Sequence, residues 1–146
     1  MCRIVISECQ LEDLNELSLW YNLIPQEDKD NLSFDFSTNG NSLTYFTLKV
    51  DEIIVGLMCA QIGDSRIKFL SRFVAREYRR KGYAEMMLDH LIIKARNEKK
   101  IALSGYIRTS RIAGIEFFKS KGFEVSPAAY DHTYNEDISM VMLKLR

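Results

Sequence analysis

A chain of 146 residues that is 47% hydrophobic and 27% charged is expected to form one ordinary globular domain, a single core that needs no disulfide or metal staple. Its 20 basic and 20 acidic side chains cancel, which argues against a whole-surface field for nucleic acid or for an anionic membrane. The longest apolar run, residues 53–60, is far too short to cross a bilayer, and residues 1–7 lack the length and cleavage site of a signal peptide. Cys2, Cys9 and Cys59 are odd in number and have no metal-type spacing, so they are expected to be free thiols in a reducing compartment, the cytoplasm.

In chain order, β-branched Ile4, Val5 and Ile6 predict a first strand over residues 3–7. Leu11, Leu14, Leu17 and Tyr21 then recur at helical spacing, with Glu12 and Asp13 suited to the positive end of that helix and Pro25 to close it. Charge and spacing suggest a second, short helix over residues 26–31. Between residues 34 and 42, Asp35, Ser37, Thr38, Asn39, Gly40 and Asn41 are turn formers and predict a mobile loop of the kind that lines substrate sites. Residues 43–50, 53–61 and 66–74 are apolar, β-branched or aromatic runs separated by Asp51-Glu52 and Gly63-Asp64-Ser65, and they predict an antiparallel meander.

The clearest helix covers residues 82–97, where Ala84, Met87, Leu88, Leu91 and Ala95 form one apolar stripe. A strand over 101–107, a helix over 112–121 ended by Gly122 in a left-handed cap, a strand from 123 and a final strand over 138–145 complete the order. Helices followed by strands rather than by hairpins imply crossovers and a parallel pair in the middle of the sheet. The expected fold class is therefore mixed α/β.

The turn that joins strand 66–74 to the following helix carries Arg79-Arg80-Lys81-Gly82-Tyr83-Ala84. The first turn of a helix leaves about four N–H groups without a helical acceptor, and its aligned peptides place roughly half a positive charge there. Gly82 and Ala84 let an anion approach that backbone, while Arg79, Arg80 and Lys81 supply charge around the rim. Such a turn suits a diphosphate. The plainer alternative is a solvated basic turn with an incidental glycine.

Arg79-x-x-Gly82-x-Ala84 resembles the diphosphate-binding signature of the GNAT superfamily of acyl-CoA-dependent N-acetyltransferases. Ile115-Glu116-Phe117-Phe118-Lys119-Ser120-Lys121-Gly122-Phe123 resembles the later helix of that family, which ends in Gly-Phe, and the order of elements matches as well. The resemblance implies a GNAT-like fold: helices flanking a mostly antiparallel sheet that is splayed between its fourth and fifth strands. It implies acetyl-CoA as co-substrate, an amine as acceptor, and a notch between those strands where thioester and amine meet. Arg72, Phe73 and Val74 would pair through their backbone with the pantetheine arm. Arg79, Arg80, Lys81, Gly82, Tyr83 and Ala84 would hold the diphosphate, and Gly114 and Phe118 would flank the pantetheine.

The sequence departs from the family at the catalytic positions. Many members carry a tyrosine where this chain has Phe118, placed to protonate the departing sulfur, and an asparagine where it has Arg111. Residues 66–74 contain no carboxylate, and the position at which some relatives carry a glutamate on the next strand is Tyr106. Tyr106 is the candidate catalytic residue, able to orient a water or to donate a hydrogen bond to the thioester; the alternative is a half-buried strand aromatic. Tyr130 and Tyr134 lie in the polar stretch 129–137, read as a loop bordering the substrate, where Asp131, Glu136 and Asp137 would attract a cationic amine.

His90 and His132 stand in no metal or nucleophile motif, so no metal is expected, and Ser71, Ser104 and Ser110 lack the Gly-x-Ser-x-Gly elbow. Direct transfer of acetyl from acetyl-CoA to an amine is the expected reaction. A non-catalytic acetyl-CoA-binding module is the alternative, and a nucleic-acid contact through Arg79-Arg80-Lys81 lacks a second basic cluster. A homodimer would have to use an exposed strand edge, for which no residue pattern argues.

Overall fold

In the computed structural model, which describes residues 2–29, 43–133 and 135–145, the β-branched and aromatic runs become strands and the period-four runs become helices. The elements are β1 (Ile4–Glu8), a 3-10 turn (Leu11–Asp13), α1 (Leu14–Asn22), α2 (Gln26–Lys29), β2 (Leu43–Val50), β3 (Ile53–Ile62) and β4 (Arg66–Val74). A second 3-10 turn (Arg76–Tyr78) leads to α3 (Tyr83–Asn97), β5 (Ala102–Arg108), α4 (Ile112–Ser120), β6 (Glu124–Val125), β7 (Ala129–Asp131) and β8 (Glu136–Lys144). The hydrogen-bonded strand order is β1-β2-β3-β4-β5-β8-β6, with β7 also on β8, which makes an eight-stranded mixed sheet of the expected class. The loop predicted over 34–42 and the end of the helix predicted over 26–31 lie outside the described residues.

Contacts divide the chain into two compact units, Met1–Ile62 with Leu70–Leu91 and Gly63–Phe69 with Ile92–Arg146. In the first, β1 runs antiparallel to β2 from Ile4↔Val50 to Glu8↔Phe46, and β2 antiparallel to β3 from Leu43↔Gln61 to Val50↔Ile53. Asp51 and Glu52 close that hairpin with φ of 49° and 73°, the pair of left-handed residues whose twist suits a two-residue turn. Leu17 and Tyr21 of α1 pack on Tyr45, Leu57 and Cys59 of the sheet, with Trp20 and Cys9 against them. Burial pushes the Cys59 thiol up to about 11; burial and the nearby Asp13 carboxylate do the same to Cys9, so both are held protonated at neutral pH. On α3 the apolar stripe is Met87, Leu88, Leu91 and Ala95, all fully buried; Ala84, expected to join it, is exposed, and Tyr83 is buried instead.

In the second unit β4 and β5 form the expected parallel pair, in register at Arg66↔Ala102, Ile67↔Leu103 and Lys68↔Ser104. β5 pairs antiparallel with β8 over its whole length, and the other edge of β8 takes β6 and β7. Phe69 stacks on Phe118 of α4 with ring centroids 5.5 Å apart and planes 7° apart, and Phe123 meets Phe118 edge-on at 5.1 Å. Gly105 makes room for the Phe69 ring, and Gly114 for the close approach of Ile107. A Cβ on Gly105 would overlap the Phe69 ring, and one on Gly114 would lie 2.7 Å from Ile107 Cδ1. Gly122 has the left-handed φ of 91° expected of the α4 cap. The stretch 129–137, expected to be a loop, instead forms a hairpin of β7 and β8: Tyr130 pairs with Asp137 and Asp131 with Glu136, across a turn that includes Asn135 at φ 57°. Among the described residues no helix is long and apolar enough to cross a membrane.

Three outcomes follow from these local environments. Gly105→Ala forces the Phe69 ring out of its place and should lower unfolding stability by about 2 kcal/mol in urea melts. Gly82→Ala, where a Cβ meets nothing within 4 Å, should cost only about 1 kcal/mol from its left-handed φ. In a thiol titration of the native protein, exposed Cys2 should react quickly, while Cys9 and Cys59 should wait for denaturant.

Candidate active site

β4 ends where the Ala75 N–H donates to the Val55 carbonyl at 2.9 Å, the last tie of that strand to β3. The chain then makes the 3-10 turn Arg76–Tyr78 and reaches Arg79 in extended conformation. Arg79 folds back on the strand: its Nε donates to the Val74 carbonyl at 2.8 Å and its guanidinium lies 5.6 Å from the centroid of the Phe73 ring. Of the basic trio, then, Arg79 braces the turn, and Arg80 and Lys81 are left exposed.

Arg80 and Gly82 both adopt left-handed backbone, with φ of 62° and 83°. Alternation of this kind curls successive N–H groups toward one side, the concave nest that receives anions. The Gly82 carbonyl accepts the Met86 N–H at 3.0 Å, so the helix hydrogen bonds begin there, and the N–H groups of Tyr83 and Ala84 have no acceptor within the helix. Tyr83 is buried and anchors the helix start, whereas Gly82 and Ala84 are exposed. Space beside Gly82 is open, so what this position demands of the sequence is its φ, and any side chain would project into solvent at the nest.

Three residues on β4 shape the site from behind. Phe73 is 4% exposed and meets Trp20 and Tyr21 edge-on at 6.0 and 6.1 Å, and its carbonyl lies 3.3 Å from where a Cβ on Gly56 would be. Val74 is half-buried and holds Arg79. Half-buried Arg72 donates from Nη1 to the Ala84 carbonyl at 2.8 Å, and burial lowers its pKa to about 10. Sequence reasoning gave no sign of this contact, nor of the ion pair of Arg76 with Glu27, at 3.2 Å, and with Asp28 of α2. Partners 48 and 49 residues apart leave no local signal.

The remaining candidates lie in the second unit. Tyr106 is 53% exposed on β5, in register with Met140, and the Lys68 ammonium stands 4.8 Å from its ring centroid. Phe118 is 4% exposed inside the aromatic layer, with no hydroxyl to offer a leaving sulfur. Gly114, on α4, lies against the Ile107 side chain. On the hairpin, Tyr130 donates its hydroxyl to Asn135 Oδ1 and meets the His132 ring edge-on at 5.0 Å. Two of the hairpin carboxylates have protein partners: Glu136 accepts from Ser110 at 3.0 Å and pairs with Arg108 at 3.5 Å, and Asp131 accepts from the Thr133 N–H at 2.7 Å. Tyr134 lies outside the described residues.

The fold has many solved counterparts. The ribosomal-protein-S18-alanine N-acetyltransferase from Escherichia coli superposes with a TM-score of 0.79 at 20% identity, over 98% of this chain and 94% of that one. Arabidopsis thaliana Naa50, in complex with the bisubstrate analogue CoA-Ac-MVNAL, gives 0.76 at 14% identity over 97% and 99%. A GNAT family acetyltransferase from Elizabethkingia anophelis with acetyl-CoA bound gives 0.73 at 16% identity over 97% and 98%. At such identities these likenesses speak for the fold alone, and no curated protein sequence matches the chain. The sequence itself goes further, because the model of the acetyltransferase (GNAT) family matches residues 11–123, a span that takes in the nest, β4, β5 and the Gly-Phe end of α4. With that match over most of its length, the chain belongs to the GNAT family of acetyltransferases.

Proposed function

We propose that this acetyltransferase takes its acetyl group from acetyl-CoA and passes it directly to a primary amine, as one functional domain. The observation that carries the reading is the nest at Arg80 and Gly82 opening onto the start of α3, an arrangement suited to an anion such as a diphosphate, at the end of a strand whose backbone would line the pantetheine arm. In this reading Arg80, Lys81, Gly82, Tyr83 and Ala84 bind the diphosphate, Arg79 shapes the turn, and Arg72, Phe73 and Val74 supply the strand. Gly114 and Phe118 contribute from α4.

In the reaction the amine nitrogen attacks the thioester carbon, and the oxyanion is stabilised by backbone donation near Val74. Collapse of the tetrahedral intermediate breaks the C–S bond and releases CoA as thiolate, which is tolerable for a thiol of pKa about 8.5 without an acid. The amine proton goes to water. An acceptor of pKa about 10.4 is neutral only about once in 2,500 at pH 7, a handicap of roughly 4.6 kcal/mol, so deprotonation is the harder step. Tyr106, exposed on β5, is assigned to orient the water that takes that proton. The high thiol pKa values of Cys9 and Cys59 favour direct attack over an acyl-cysteine, and free thiols favour a cytoplasmic setting. The acceptor class spans polyamines, amino sugars, peptide amino termini and lysines.

The burial of Phe118, which leaves no acid at that position, favours a second reading, an acetyl-CoA-binding module without turnover. Thiol release in an acceptor screen separates the two. Calorimetric titration with acetyl-CoA should show micromolar binding, and absence of binding would sink both readings. Gly82→Val should weaken that binding by at least about ten-fold while the protein remains folded; unchanged affinity would remove the nest from the site. Tyr106→Phe should lower kcat by about ten-fold with acetyl-CoA affinity unchanged, and full activity would return Tyr106 to a packing role.

A further inference from the structure

We propose that Arg72 is a positioning residue for the diphosphate: bound to the Ala84 carbonyl, its guanidinium fixes the first turn of α3 and places a full positive charge behind the anion nest. The inference rests on the acetyl-CoA reading above and goes beyond it, because there Arg72 contributes only its backbone.

The geometry is specific. Arg72 Nη1 reaches the Ala84 carbonyl at 2.8 Å, spanning from β4 to the second residue of α3. That carbonyl belongs to the turn whose N–H groups point the other way, toward the nest, so a donor on it orients the peptide that an incoming anion meets. An arginine stays charged throughout the physiological range, and burying it is costly, as its lowered pKa records. Such a cation gains when an anion arrives nearby in a medium of low dielectric. Exposed Arg80 and Lys81 act through water and are screened, whereas a partly buried charge is screened much less. This half-buried charge should therefore weigh more in affinity than its distance from the rim suggests.

The test compares wild type with Arg72→Met, of similar length and apolar, and Arg72→Lys, which keeps the charge. Acetyl-CoA and ADP, which carries the diphosphate without the pantetheine arm, are titrated calorimetrically, and melting temperatures are taken without ligand. At a temperature where both proteins are folded, Arg72→Met should bind both ligands about ten-fold more weakly, and Arg72→Lys should recover part of the affinity. Equal affinity in Arg72→Met and wild type overturns the proposal. So does a lowered melting temperature with equal losses in Met and Lys variants, which would mark a packing role. Should Arg72→Met fail to fold, uncharged Arg72→Gln carries the same comparison. Failure of wild type itself to bind acetyl-CoA defeats the functional reading first, and is distinct from failure of the variant comparison.

Discussion

A helix that follows a strand after a short turn begins with N–H groups that its own carbonyls cannot reach, and in this chain the turn before α3 governs where they point. The left-handed backbone at Arg80 and Gly82 sets their direction. Everything nearby serves to keep that turn in place: the Ala75 bond to Val55 ends β4, Arg79 is tied to Val74, and Tyr83 is sunk into the core. Arg80 has a side chain in a region of φ that favours glycine, a strain of about 1 kcal/mol that the surrounding contacts must offset. In the proposed reading the anion site is thus a property of backbone geometry first and of basic side chains second.

This explains why the strand, turn and helix that carry the candidate site were legible in the sequence and why their contacts were not. A glycine and an alanine at the head of a strongly periodic helix are visible in the sequence, as are the stripe of Met87, Leu88, Leu91 and Ala95 and the Gly122 cap. The parallel β4–β5 pair follows from the helix between them. Rotation of the stripe by one residue, from Ala84 to Tyr83, was not visible, because alanine is as apolar as the position allows and only packing decides which residue faces inward. Nor was β7, whose residues Ala129–Asp131 are no better strand formers than loop formers and owe their conformation to the edge of β8. The contacts of Arg72 and Arg76 are long-range and specific to side-chain reach, which composition and periodicity do not encode.

On the catalytic side the arrangement shifts weight from the leaving group to the nucleophile. Phe118 sits in a stack with Phe69, whose ring occupies the space that a side chain at Gly105 would take, and phenylalanine brings no hydroxyl to that layer. In the proposed reaction the sulfur leaves unassisted, and the fate of the amine proton governs the rate. Tyr106, with a lysine ammonium beside its ring, stands on an exposed part of β5 where water is at hand.

β8 occupies an interior place in the second unit, with β5 along one edge and β6 and β7 along the other, yet it follows all of them in the chain. During synthesis the ribosome delivers β5, α4, β6 and β7 before the strand that joins them. Until β8 emerges, β5 has an open edge and β6 and β7 have no sheet to belong to, the condition in which nascent strands recruit the wrong partner. For this unit, vectorial synthesis gives little head start, because the pairings of β5, β6 and β7 with β8 can form only after the strand they share has been made.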